Sequence, residues 1–141
     1  RALRFHRKAR FGDGKDIASP NEINFDGSKD KVESYSEPGI YRRRPSPVNR
    51  LNSLNPLGLS AMSGNVAEWC MDNYDYQYYA NSSARDPKGP LSGGYTVIRG
   101  GSWKDGPMVC RVVDRFRLNP EVQENYLGFR LARRQTRRTS N

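Results

Sequence analysis

The chain has 141 residues, enough for one hydrophobic core, and its 35% hydrophobic content with 13 Gly and 9 Pro argues against long helices. Formal net charge is +9, which raises the question of nucleic acid or another anionic surface. No apolar run is long enough to span a bilayer, and no signal-peptide pattern or initiator Met is present, so the chain reads as a piece of something larger.

Residues 1–10 carry Leu3 and Phe5 among five basic residues, and alternation fits them as well as a helical stripe does. His6, the only histidine, is expected at the surface, which excludes Ser-His-Asp and multi-histidine schemes. Residues 11–16 are rich in turn formers but lack the Gly-x-x-x-x-Gly-Lys-Ser/Thr spacing of a phosphate loop. In residues 21–27, Ile23 and Phe25 alternate with polar neighbours before Asp26-Gly27, which predicts a short strand ending in a tight turn. Residues 28–41 are polar and read as a surface loop, and Pro45, Pro47 and Pro56 predict an extended run outside any sheet.

The block Gly64-Asn65-Val66-Ala67-Glu68-Trp69-Cys70 sets a small residue before a buried-type aromatic, as do Arg99-Gly100-Gly101-Ser102-Trp103 and Leu127-Gly128-Phe129-Arg130. Between the first two lies an insert, residues 72–94, with Tyr74, Tyr76, Tyr78 and Tyr79. Period-two tyrosines would face one side of an extended segment, as a recognition surface or as an aromatic rim over the core. Asn81-Ser82-Ser83 fits the N-glycosylation pattern. Alternation from Arg111 to Arg117 predicts a strand. Cys70 and Cys110 are the only cysteines and could form a disulfide or stay as two buried thiols. The basic tail after Arg133 is expected to be disordered.

The three Gly-aromatic blocks in this order, with Pro47-Val48, Asn55-Pro56 and Gly58-Leu59 before them, resemble the formylglycine-generating enzyme (sulfatase-modifying factor, FGE-sulfatase) family. The resemblance implies an α+β, C-type-lectin-like fold, loop-rich with short antiparallel strands and little helix. It covers residues 11–133 and corresponds to the C-terminal half of the family domain, leaving 1–10 as a basic segment of the truncated domain and 134–141 as tail. The missing N-terminal half, or another chain, is then an expected partner, because a half domain exposes strand edges and apolar faces.

Catalysis in the resembled enzymes uses a Cys-x-x-x-x-Cys pair that binds copper(I) and oxidises a substrate cysteine; two thiolates suit that soft ion. Here Asp105 falls at the first position and Cys110 at the second, so Cys110 is the one catalytic candidate and copper is not expected. The resemblance also implies two calcium positions. One would use Glu68 with the carbonyls of Gly64 and Val66, with Ala61 where the family places a side-chain oxygen; the other would use Asn24 and the carbonyl of Phe25.

What stays at the catalytic locus is a polar surface. Trp103, Lys104, Asp105, Arg115 and Arg117 are its expected ligand-contacting residues, for a protein or peptide held in a groove. The resemblance implies three alternatives: a non-catalytic binding or scaffolding domain, a formylglycine-generating oxidase acting on a sulfatase cysteine, or a diversified variable protein of a diversity-generating retroelement. The charge adds a binder of anionic polymers, although no specific nucleic-acid module is readable. The family's frequent export makes an extracytoplasmic location the expectation.

Overall fold

The computed structural model describes residues 9–51 and 53–132. His6, most of the N-terminal basic segment and the tail after Ala132 lie outside the described residues. Regular structure is sparse: one 3-10 turn, Lys29–Lys31; strand β1, Ala67–Asn73; a single helical turn α1, Tyr78–Asn81; and strands β2, Thr96–Arg99, β3, Phe116–Leu118, and β4, Leu127–Gly128. The four strands form one sheet in the order β3-β2-β1-β4. β1 and β2 are antiparallel, as are β2 and β3, whereas β4 runs parallel to β1.

All three Gly-aromatic blocks feed this sheet, and their glycines set how closely the loops approach. Gly64 sits at φ +69°, where a Cβ would lie 2.5 Å from the Asn24 carbonyl oxygen. Gly101 sits at φ +66°, with the Cys110 Sγ 2.8 Å from where its Cβ would be. Any side chain at either position meets both the left-handed backbone penalty and a collision.

The main buried cluster is built from residues outside the strands, which add Ala67 and Val97 to the buried apolar set. Phe11, Ala18, Ile23, Phe25 and Cys110 form a buried cluster, with Tyr35 packed against it. Ile23 and Phe25 are therefore inside, as their alternation suggested, yet residues 21–27 make turns and no strand. Burial of these two side chains is satisfied by turns because the Asn24 and Asp26 backbones between them bond to distant loops: Asn65 N donates to Asn24 O at 2.7 Å and Asp26 N to Asp105 O at 2.9 Å. Residues 28–41 are not merely a surface loop either. Ala18 bridges Ser36, and Tyr35 sets its ring 6.3 Å from that of Phe11.

Two further expectations change. The strand expected over 111–117 begins only at Phe116, because residues 111–114 turn, closed by Asp114 N to Arg111 O and by an Arg111–Asp114 ion pair at 2.7 Å. Tyr78 does not continue an extended Tyr74-Tyr76-Tyr78 face; it opens α1. The insert has several polar residues that bond locally, and Asp75 Oδ1 accepts the Gln77 N–H at 2.7 Å, which turns the chain.

Candidate functional site

The catalytic locus of the resembled enzymes is a closed turn. Asp105 Oδ2 accepts both the Ser102 N–H, at 2.9 Å, and the Ser102 hydroxyl, at 2.6 Å. Cys110 follows, fully buried, its Sγ 3.6 Å from the Gly106 carbonyl. Burial in an apolar pocket raises the thiol's pKa strongly, and the nearby Asp105 carboxylate adds to the rise, so this sulfur stays protonated. Cys70 is also a free thiol, half-buried, with its pKa raised chiefly by burial. The two cysteines, left open above between a disulfide and separate thiols, are thus unbonded.

Asn65 holds this region together, and sequence reasoning assigned it no role. Its Oδ1 accepts from Asn24 Nδ2 at 3.0 Å and from Ser46 N at 2.7 Å, its Nδ2 donates to Ser46 O at 3.1 Å, and its carbonyl accepts from Trp103 N at 2.9 Å. One residue thereby joins the segments around 24, 46 and 103. The signal in the sequence was an Asn directly after Gly64, since Asn tolerates the left-handed region better than most side chains, and its φ is +69°.

Three separate places receive the expected groove residues. Lys104 and Asp105 line a cleft of about 260 Å³ with Phe116, Leu118 and Tyr126, and the Lys104 ammonium sits 3.3 Å from the Tyr126 ring centre. Trp103 is stacked on Tyr41, ring centres 6.2 Å apart, with its indole nitrogen buried and meeting no acceptor among the described residues. Arg115 and Arg117 belong elsewhere, against Tyr74, Tyr79 and Tyr95. Strand alternation explains the division on β3: Phe116 and Leu118 turn into the cleft, and Arg117 turns away.

A larger cleft, about 560 Å³, opens where Phe11, Met62, Trp69, Cys70, Glu68 and Arg130 meet. Glu68 is not available there as a metal ligand. Arg130 grips it with two guanidinium nitrogens, Nε at 2.6 Å from Oε2 and Nη2 on Oε1, and also donates to the carbonyls of Ser60 and Ala61 at 3.2 Å. A guanidinium thus already holds both oxygens of Glu68, the one carboxylate of the calcium position that the resemblance implies. The second position fares little better. Asn24 Oδ1 is buried without a partner among the described residues, one oxygen of the six to eight that calcium takes. Among the described residues no group of three or more His, Cys, Asp or Glu side chains converges. At the first place calcium would have to displace Arg130 from Glu68.

A loop-rich fold on a small four-stranded sheet, with Gly-aromatic corners and a polar rim, defines the class. The profile of the Sulfatase-modifying factor enzyme 1-like domain matches residues 5–135, and the chain belongs to that FGE-sulfatase family. The match extends a few residues beyond the 11–133 expected from motifs. Similar proteins include the formylglycine-generating enzyme of Streptomyces coelicolor, 42% identical over 55% of the chain and 26% of that enzyme. The serine/threonine-protein kinase pkn1 of Chlamydia pneumoniae is 44% identical over 56% of the chain and 13% of its own length. Among solved structures, Treponema denticola variable protein 1 aligns with TM-score 0.62 and 30% identity, covering 77% of this chain and 34% of that one. PvdO from Pseudomonas aeruginosa shares the fold, with TM-score 0.62 over 86% of this chain and 42% of its own. The chain spans well under half the length of each of these relatives. Among the described residues no helix is long and apolar enough to cross a membrane.

Proposed function

We propose that this chain is a non-catalytic binding domain of the FGE-sulfatase family, holding a protein or peptide partner on its surface. The observation that carries this reading is the state of the catalytic locus: an aspartate tied to Ser102 stands at the first cysteine position, and the single thiol at the second is buried and protonated. Copper(I) dithiolate chemistry needs two accessible thiolates side by side. The alignment with Treponema denticola variable protein 1 supports the same reading at the level of overall shape.

A second reading, an oxidase of the formylglycine-generating kind, draws on the 42% identity to the Streptomyces coelicolor enzyme. One pair of measurements separates the two. Copper(I) is titrated into the chain against a chromogenic chelator, and a cysteine-containing peptide is incubated with the copper-loaded chain under air while a hydrazide probe reports aldehyde. Binding no tighter than that of a Cys110→Ser variant, with no aldehyde formed, is the expected result. Aldehyde production above the copper-only control overturns the proposal.

A further inference from the structure

The insert and β3 build a surface apart from the catalytic locus, and of its residues Arg99 alone also lines the clefts. Tyr79, Arg115, Tyr74, Arg117 and Tyr95 alternate as aromatic, cation, aromatic, cation and aromatic. The Arg115 guanidinium carbon lies 4.2 Å from the Tyr79 ring centre and 5.0 Å from that of Tyr74. That of Arg117 lies 5.5 Å from Tyr74 and 5.1 Å from Tyr95. Arg99 continues the series by donating to the Tyr79 hydroxyl at 2.7 Å.

Two features make this a binding surface rather than an internal brace. The face is open, with Tyr79 60% and Tyr95 47% exposed and Arg117 exposed beside them. Its cations are also not neutralised. The ion pairs among the described residues are Lys15–Glu22, Arg111–Asp114 and Arg130–Glu68, none of which involves Arg99, Arg115 or Arg117. Arg115 donates through Nη2 to the carbonyls of Asp75, at 2.6 Å, and Tyr76, at 3.5 Å, and the Arg117 side chain makes no hydrogen bond within the described residues. Stacking, with carbonyls on Arg115 Nη2, therefore holds two guanidinium groups in place while the Arg117 donors and Arg115 Nε and Nη1 stay unpaired among the described residues, so little side-chain entropy is left to lose on binding.

We infer that this Tyr-Arg ladder docks an acidic, carboxylate-rich segment of a partner protein, an inference that rests on the binding-domain reading above. A planar fork matches a carboxylate in two parallel N–H···O bonds, and tyrosines with arginines are the side chains that dominate protein recognition surfaces. Single-stranded nucleic acid fits the same surface less well. Base stacking needs open ring faces, and here Tyr74 is already covered by both Arg115 and Arg117.

The test is fluorescence anisotropy on the full chain with three labelled probes: a poly-glutamate peptide, a poly-glutamine peptide of the same length, and an oligothymidine. The glutamate peptide is expected to bind best. Arg115→Gln/Arg117→Gln is expected to weaken it about tenfold or more, while Lys29→Gln, an exposed cation remote from the ladder, leaves it unchanged. Arg117→Lys keeps the charge but loses the fork, and is expected to weaken binding severalfold. Melting curves confirm that each variant folds. Tighter binding of the oligothymidine, equal losses in Lys29→Gln, or full affinity in Arg117→Lys overturns the assignment. Absent glutamate binding without aldehyde formation sinks this inference alone, whereas aldehyde formation sinks the binding-domain reading itself.

Discussion

The corner where Gly64, Asn65, Gly101, Asp105 and Cys110 meet and the face made by Tyr74, Tyr79, Tyr95, Arg115 and Arg117 treat polar atoms in opposite ways. In the corner nearly every donor and acceptor is closed on another loop. Ser63 Oγ accepts the Gly12 N–H at 2.9 Å and donates to the Cys110 carbonyl at 2.7 Å; Gly64 N donates to Gly100 O at 2.8 Å. On the face the cations are positioned by ring faces and by carbonyls, and the Arg117 donors with Arg115 Nε and Nη1 stay unpaired among the described residues. A polar residue in the corner is therefore a fold determinant, because leaving a buried polar partner unmatched costs about 1–3 kcal/mol. A polar residue on the face is poised for another molecule.

The sharpest way to break this contrast is Gly101→Ala. It places a methyl 2.8 Å from Cys110 Sγ at a φ of +66°, so urea denaturation should report a loss of about 2–4 kcal/mol. A loss below ~0.5 kcal/mol, the size of an ordinary surface substitution, would mean the corner is not packed as described.

Next in size is Arg130→Met. It leaves Glu68 without its cation and removes donors from the Ser60 and Ala61 carbonyls, in a position where Glu68 is only partly exposed. The expected cost is about 1–2 kcal/mol in thermal or chemical unfolding, discounted for solvent screening. The wild-type melting temperature should be the same in calcium and in EDTA, since the Arg130 guanidinium already fills the cage of Glu68, Ser60 and Ala61 oxygens. Should Arg130→Met acquire a calcium-dependent melting temperature, the cage is confirmed as a cation site; should the wild type show one, Arg130 is not the cation that closes it.

On the face, Arg115→Gln/Arg117→Gln should move the melting temperature by little, with each stacked cation worth about 0.5–1 kcal/mol at an exposed site. A collapse of the fold in this double variant would make the ladder a brace and erase the contrast.

The smallest effect concerns Asp13, 8% exposed, whose pKa is raised chiefly by burial, with the Lys15 N–H partly offsetting the rise. A carboxyl whose folded pKa is raised binds its proton more tightly when folded. Its stabilisation is present below the ordinary value of 3.8 and is lost as pH climbs through the folded pKa. Asp13→Asn keeps the acceptor for Lys15 and should be more stable than wild type at neutral pH, with the difference vanishing in acid. Denaturant midpoints at several pH values measure it, and a difference that grows in acid would reverse the assignment.

Motif order was enough to read the family and its loop-rich α+β fold, because Gly-then-aromatic corners depend on local backbone freedom and on large buried rings, both visible in one sequence. The missing cysteine at position 105 was equally legible, since it is a matter of residue identity. The burial of Ile23 and Phe25 could be read from alternation, although their conformation could not: turns serve as well as a strand when other loops take up the backbone groups. The fate of charged groups lay beyond the sequence. Glu68 and Arg130 are 62 positions apart, and Arg115 and the Asp75 carbonyl 40 apart, so only the closed fold decides which carboxylate a guanidinium meets. The sequence determined which chemical groups exist and where the chain must turn; the tertiary structure decided which of them are consumed within the corner and which are left open on the ladder. The physical reason is that hydrogen bonds and ion pairs depend on distances across the fold, whereas glycine conformations and ring burial are set largely by the residue itself.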